Sequence, residues 1–117
     1  MHIRDMEIVR GTRFGFTLFF RDGDGRYVDL TGVTKARFTV KNRAETDVLL
    51  ALNETLGCTI FPEGKVEVEA LEDVTEAISA PVVQWGKWDF VMFDSADIPR
   101  QFARGKMKIT DTVTELP

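Results

Sequence analysis

The stretch Arg13-Phe14-Gly15-Phe16-Thr17-Leu18-Phe19-Phe20-Arg21, continued by Asp22-Gly23-Asp24-Gly25-Arg26-Tyr27-Val28-Asp29-Leu30-Thr31-Gly32, decides the fold class. Successive side chains of a strand point to opposite faces. Phe14, Phe16, Leu18 and Phe20 therefore share one face, and Gly15, Thr17, Phe19 and Arg21 the other. One apolar face backed by one mixed face marks a strand with a core on one side. Asp22-Gly23-Asp24-Gly25 is turn chemistry, because glycine tolerates positive φ and aspartate bonds its own backbone. A hairpin into Tyr27-Val28 follows, and Asp29-Leu30-Thr31-Gly32 predicts a second turn or a corner between sheets.

The same period recurs outward from this run. Met6 to Arg10 predicts a short first strand, broken by Gly11-Thr12. Residues 34–41 alternate, with Ala36, Phe38 and Val40 on one face and Lys35, Arg37, Thr39 and Lys41 on the other. Val48-Leu49-Leu50-Ala51-Leu52 is apolar throughout and fits either a strand or a helical turn. Cys58 to Phe61 and Lys65 to Ala70 flank Pro62-Glu63-Gly64 as a hairpin, with Val66, Val68 and Ala70 inward and Glu67 and Glu69 outward. Leu71, Val74 and Ile78 switch to helical spacing, which predicts two turns of helix over 71–78, ended by Ala80-Pro81. Trp85 to Phe93 is a long strand with Trp88, Phe90 and Met92 on one face and Lys87, Asp89, Val91 and Phe93 on the other. After a turn at 94–97, a last strand runs over about 99–110, with Met107 and Ile109 inward and Gly105 marking a bulge or a close approach.

These elements predict one domain over 1–117. It is an all-β, immunoglobulin-like antiparallel β-sandwich of about seven to eight strands with one short helix. A chain of 117 residues can bury roughly two-thirds of its unfolded surface, enough for one core without staples. The antibody-type cysteine–tryptophan–cysteine core is absent, since Cys58 is the only cysteine. Net charge is −4 and the pI is about 5.0, without the basic field of most nucleic-acid binders. No run reaches the roughly 18 apolar residues of a membrane span, and Met1 to Glu7 lacks a secretory apolar segment. The expectation is a chain made in the cytosol, with neither nucleic acid nor membrane as a partner.

The residue inventory argues against catalysis. His2 is the single histidine and stands at the start of the chain, so a histidine-based triad has no support, and Cys58 reads as a small buried hydrophobe. Two cysteine and histidine residues in total cannot supply a structural zinc site. Counted as an EF-hand loop from Asp22, the required oxygen ligands fail after Asp24, and the fifth and sixth positions are Arg26 and Tyr27. Glu67, Glu69 and Asp89 read as a solvated face rather than a glycosidase pair. Gly23 and Gly25 precede no phosphate-cradling lysine and helix. No enzyme, metal or cofactor is expected.

Aromatic and apolar residues on the wrong faces are more informative. Phe19, Val91 and Phe93 fall opposite the core faces of their strands. Either these strands are covered on both sides, or the register shifts by one, or the three residues form an exposed patch that docks a partner. Trp85, Trp88 and Tyr27 are either core rings or a sugar-stacking platform, which would make the protein a carbohydrate-binding module.

Taken together, Glu7-Ile8-Val9-Arg10-Gly11, the strand Phe14 to Arg21, the Asp22 to Gly25 turn and Val28-Asp29-Leu30-Thr31-Gly32 follow one another in a suggestive order. Ala36 to Lys41, Gly64-Lys65-Val66-Glu67-Val68, Trp88-Asp89-Phe90 and Gly105-Lys106-Met107-Lys108-Ile109 extend it. In this order the chain resembles a family of small phage and prophage virion-associated β-sandwich proteins of the tail or baseplate type. It departs from that pattern at Asp94-Ser95-Ala96-Asp97, which lacks a tight Asp-Gly turn, and in the 42–57 excursion. The resemblance implies a non-enzymatic structural protein that assembles through contacts with other virion or tail proteins, with copies of itself as possible partners. It would be made in the host cytoplasm and then built into the virion. It implies no catalytic residues.

Overall fold

Alternating runs become strands because each presents one apolar face that must be covered by a second layer. The computed structural model describes residues 2–78, 83–94 and 97–111. Among them nine strands and one helix follow in the order β1 (His2–Ile3), β2 (Met6–Arg10), β3 (Phe14–Phe19), β4 (Lys35–Asn42), β5 (Val48–Asn53), β6 (Cys58–Phe61), β7 (Lys65–Ala70), α1 (Glu72–Glu76), β8 (Val83–Phe93) and β9 (Pro99–Asp111). The larger sheet is ordered β5-β4-β8-β9, with β1 and β2 both on the far side of β9, and the smaller is β3-β7-β6. The fold is an all-β sandwich.

Two expectations are corrected. The sheets are not wholly antiparallel: β1 and β2 run parallel to β9, with His2 opposite Ala103 and Met6 opposite Met107. Parallel neighbours need a long connection, and here nearly the whole chain lies between the partners, which local patterning cannot reveal. The helix is shorter than 71–78. It covers Glu72–Glu76, with Leu71 as an extended N-cap and Ile78 buried just beyond its end. Ala80-Pro81 lies outside the described residues. The ambiguous run at 48–52 is a strand, because its alternate residues Leu50 and Leu52 pair with Val40 and Phe38 on the core side.

Aromatic rings fill the space between the layers. Phe38 and Trp88, neighbours across β4 and β8 near the Val40–Trp88 pair, stack with centroids 5.7 Å apart and planes 12° apart. Phe16 from the opposite sheet approaches both, at 5.3 and 5.9 Å. Phe14 meets Phe38 at 6.0 Å, and Phe20 meets Phe102 edge-on at 5.3 Å. Phe38 and Phe90 are fully buried, whereas Phe14, Phe16 and Phe20 are half-buried. The difference follows from position, since β3 has only β7 beside it among the described residues.

The turns read from sequence form as their chemistry requires. Asp22 Oδ1 accepts from the Asp24 and Arg26 backbone N–H groups at 2.9 and 3.0 Å. Asp29 Oδ1 accepts from the Thr31 N–H at 2.9 Å. The Thr31 hydroxyl and N–H together hold the Asp29 carboxyl below its ordinary pKa. These aspartate oxygens are thus engaged by backbone. In the β6–β7 turn Gly64 takes φ 104°, and a side chain there would run into the Val28 carbonyl and Tyr27.

α1 is tied down by one hydroxyl. Thr75 Oγ1, completely buried, donates to the Thr12 carbonyl at 2.6 Å and accepts from the Gly11 N–H at 3.1 Å. It thereby satisfies one donor and one acceptor of the β2–β3 connection.

Candidate interaction faces

Each sheet has one face turned to the core and one turned outward, and the candidate residues divide between the two outward faces. Phe19 lies on β3 in the smaller sheet and is 59 % exposed. Val91 and Phe93 lie on β8 in the larger sheet and are half-buried. All three lie opposite the core faces of their strands, as the two-residue period predicts. The three residues are split between two sheets, because alternation shows which face a residue takes but not which sheet its strand joins, yet Phe19 and Phe93 both border a depression of about 400 Å³.

On the smaller sheet, register places Phe19, Lys65 and Phe61 side by side across all three strands. Lys65 Nζ sits 4.4 Å from the centre of the Phe61 ring and also pairs with Glu67 at 3.4 Å. The exposed Tyr27 ring lies 6.3 Å from Phe19, with the Arg21 guanidinium 4.8 Å above it and donating to its hydroxyl at 2.9 Å. Rows further along are Thr17-Glu67-Thr59 and Gly15 beside Glu69. Small side chains there leave an open depression of about 660 Å³ rimmed by Glu67 and Glu69. This face is aromatic at one end and acidic at the other.

Opposite charge gathers on the larger sheet. Register directs Lys35, Arg37 and Lys41 of β4, Lys87 of β8, and Arg104, Lys106 and Lys108 of β9 outward, with Asp89 and Glu7 the carboxylates among their strand neighbours. Loop carboxylates engage part of this charge: Lys35 pairs with Asp97 at 3.0 Å and Lys87 with Glu45 at 3.5 Å. Lys41, Arg104 and Lys106 have no ion pair among the described residues. A depression of about 510 Å³ opens over Thr39 and Asp89, lined by Lys41, Lys87, Arg104 and Lys106 and by the carboxylates Asp5 and Glu45. Net charge concealed this separation, because the sum over the chain is silent about which sheet each residue joins.

Apolar groups bound the basic face at both ends. Phe93 lies beneath the Arg37 guanidinium at 5.0 Å, and Val91 is paired with Arg37 across β4. Trp85, 47 % exposed, lies 5.9 Å from Lys108 Nζ. The proposed ring platform of Trp85, Trp88 and Tyr27 does not form. Trp88 is buried in the core, Trp85 faces outward from the larger sheet, and Tyr27 packs by Phe19 of the smaller one.

Cys58 is buried, as its strand position predicted. Burial, reinforced by the nearby Glu54 carboxylate, pushes its thiol up to about 11. Among the described residues, no group of three His, Cys, Asp or Glu side chains could hold a metal ion. No helix among them is long and apolar enough to cross a membrane. The chain matches no protein-family model and no curated protein sequence.

Proposed function

We propose that this chain is a non-enzymatic structural protein of a phage or prophage virion, of the tail or baseplate type, that works by protein–protein contact through its outward sheet faces. The observation that carries the contact is Phe19: a large apolar side chain, 59 % exposed, paired with Lys65 at the end of β3 and beside a second exposed ring, Tyr27. Exposed apolar clusters rimmed by polar groups mark interaction surfaces. Supporting the immunoglobulin-like part of the reading is the strand arrangement, in which β3-β7-β6 faces a sheet built on β4, β8 and β9. The order of motifs from Glu7 to Ile109 supports the virion assignment by resemblance.

Mass spectrometry of density-purified particles, released from cells that carry the gene, tests the assignment. The chain is expected at a stoichiometry fixed relative to other particle proteins. Its absence from particles, with the protein present in the lysate, would overturn the virion reading.

A carbohydrate-binding module is the weaker alternative. It would have to rely on Trp85 alone, because the other two candidate rings are placed elsewhere.

A further inference from the structure

We infer that the partner of each outward face is the other outward face of a second copy, in a head-to-tail contact. The inference rests on the assembly reading above and names its partner. Phe19 stands on the smaller sheet and Val91 and Phe93 on the outward face of the larger, and within one chain Phe19 and Phe93 border a depression of about 400 Å³ without a ring contact between them. They can meet between two chains only if the contact is heterologous, smaller sheet against larger sheet.

Charge points the same way. The smaller sheet presents Glu69 and Glu67, the latter paired with Lys65, beside its aromatic end. The larger presents Lys41, Lys87, Arg104 and Lys106 in excess over Asp5, Glu45 and Asp89 around a shallow depression, three of the cations without an ion pair among the described residues. Two copies joined through their larger faces would place cations against cations, and like charges across an interface are strongly unfavourable. Smaller against larger sets carboxylates against cations and apolar residues against apolar residues. A heterologous contact repeats, closing into a ring or growing into a filament according to its rotation.

Size sets the expected strength. Six residues of β3 span roughly 20 Å and three strands roughly 10 Å between outer axes. That is a small contact, at the weak end of protein interfaces. Association should therefore depend on concentration and fall with salt, since exposed charges are screened within about 8 Å at physiological ionic strength.

Charge reversal tests the arrangement. Lys87→Glu with Lys106→Glu alters only the larger face, and Glu67→Lys with Glu69→Lys only the smaller. Circular dichroism melts first establish that both double variants are folded. Sedimentation velocity at low salt is expected to show association of the parent chain, a loss of at least about tenfold in affinity for each double variant alone, and recovery when the two are mixed in equal amounts. If either variant associates like the parent, the contact is not head-to-tail, and the assembly reading survives without this partner. Failure of the mixture to recover overturns the pairing of faces. Association of the parent that nuclease treatment abolishes would assign the basic face to nucleic acid instead. A parent chain that stays monomeric at every concentration and salt would overturn both the contact and self-assembly.

Discussion

The indole of Trp88 donates a 2.9 Å hydrogen bond from Nε1 to the backbone carbonyl of Arg4, joining the middle of β8 to the junction between β1 and β2. Between the two residues stands Gly105, paired with Trp88 across β8 and β9. A Cβ on Gly105 would collide with the Arg4 carbonyl oxygen and the Trp88 Nε1. The interruption between β1 and β2 therefore leans over a residue with no side chain, and the one indole in the core is turned to satisfy the carbonyl left there. Gly105→Ala is expected to cost about 2–4 kcal/mol, because the obstacle is backbone and cannot swing aside. Hydrogen exchange should locate the damage, with Ile8 and its neighbours in β2 losing protection before β4 and β8.

Trp88→Phe separates packing from hydrogen bonding at the same place. The ring stacked on Phe38 is kept in reduced form, but the Arg4 carbonyl loses its donor. Losing this part-buried hydrogen bond costs about 0.5–1.5 kcal/mol, measurable by urea denaturation. Phe38→Ala removes the ring on which Phe14, Phe16 and Trp88 all converge, and should cost about 3–5 kcal/mol.

Thr75→Val keeps volume and removes the hydroxyl that serves Gly11 and Thr12. Both backbone groups would be left without that partner, so a loss of about 2–3 kcal/mol is expected. Thr75→Ser, which keeps the hydroxyl, should recover most of it.

Cys58 predicts a pH dependence. Its folded-state value is raised, so the thiol stays protonated in the fold after the unfolded chain has begun to ionise. Below the ordinary 9.0 both states are protonated and Cys58 contributes no slope. Between 9.0 and about 11 the unfolded state has lost the proton and the folded state has not, so stability falls as pH rises through that window. Chemical denaturation of the parent and of Cys58→Ala across this range should show a downward slope that the variant lacks in part. At neutral pH the parent thiol should react slowly with thiol reagents until the protein is unfolded.

Much of this architecture was legible as alternation. In β4, β7 and β8 the side chains buried are those the two-residue period selected: Ala36, Phe38 and Val40, then Val66, Val68 and Ala70, then Trp88, Phe90 and Met92. The close approach at Gly105 was also signalled, by a glycine inside a strand pattern. The partner in that approach was not, because Arg4 and Trp88 are brought together by parallel pairing across almost the full chain. The same gap separates Phe19 from Val91 and Phe93. Local period gave each its outward direction, while the division of strands between sheets depends on long-range pairing that no window of sequence contains. The basic face was hidden for the same reason, since its cations come from three strands and are diluted by carboxylates elsewhere.

The central claim is that the outward faces are contact surfaces, and Phe19→Ser tests it most directly. With its ring more than half exposed, Phe19 contributes little to the core, and the substitution should cost about 1 kcal/mol or less. Sedimentation equilibrium of the parent and of Phe19→Ser, over the same concentrations and at low salt, is the measurement. The account predicts concentration-dependent association in the parent and a loss of at least about tenfold in the folded variant, the size expected for removing one apolar anchor. Equal association of parent and variant would contradict it.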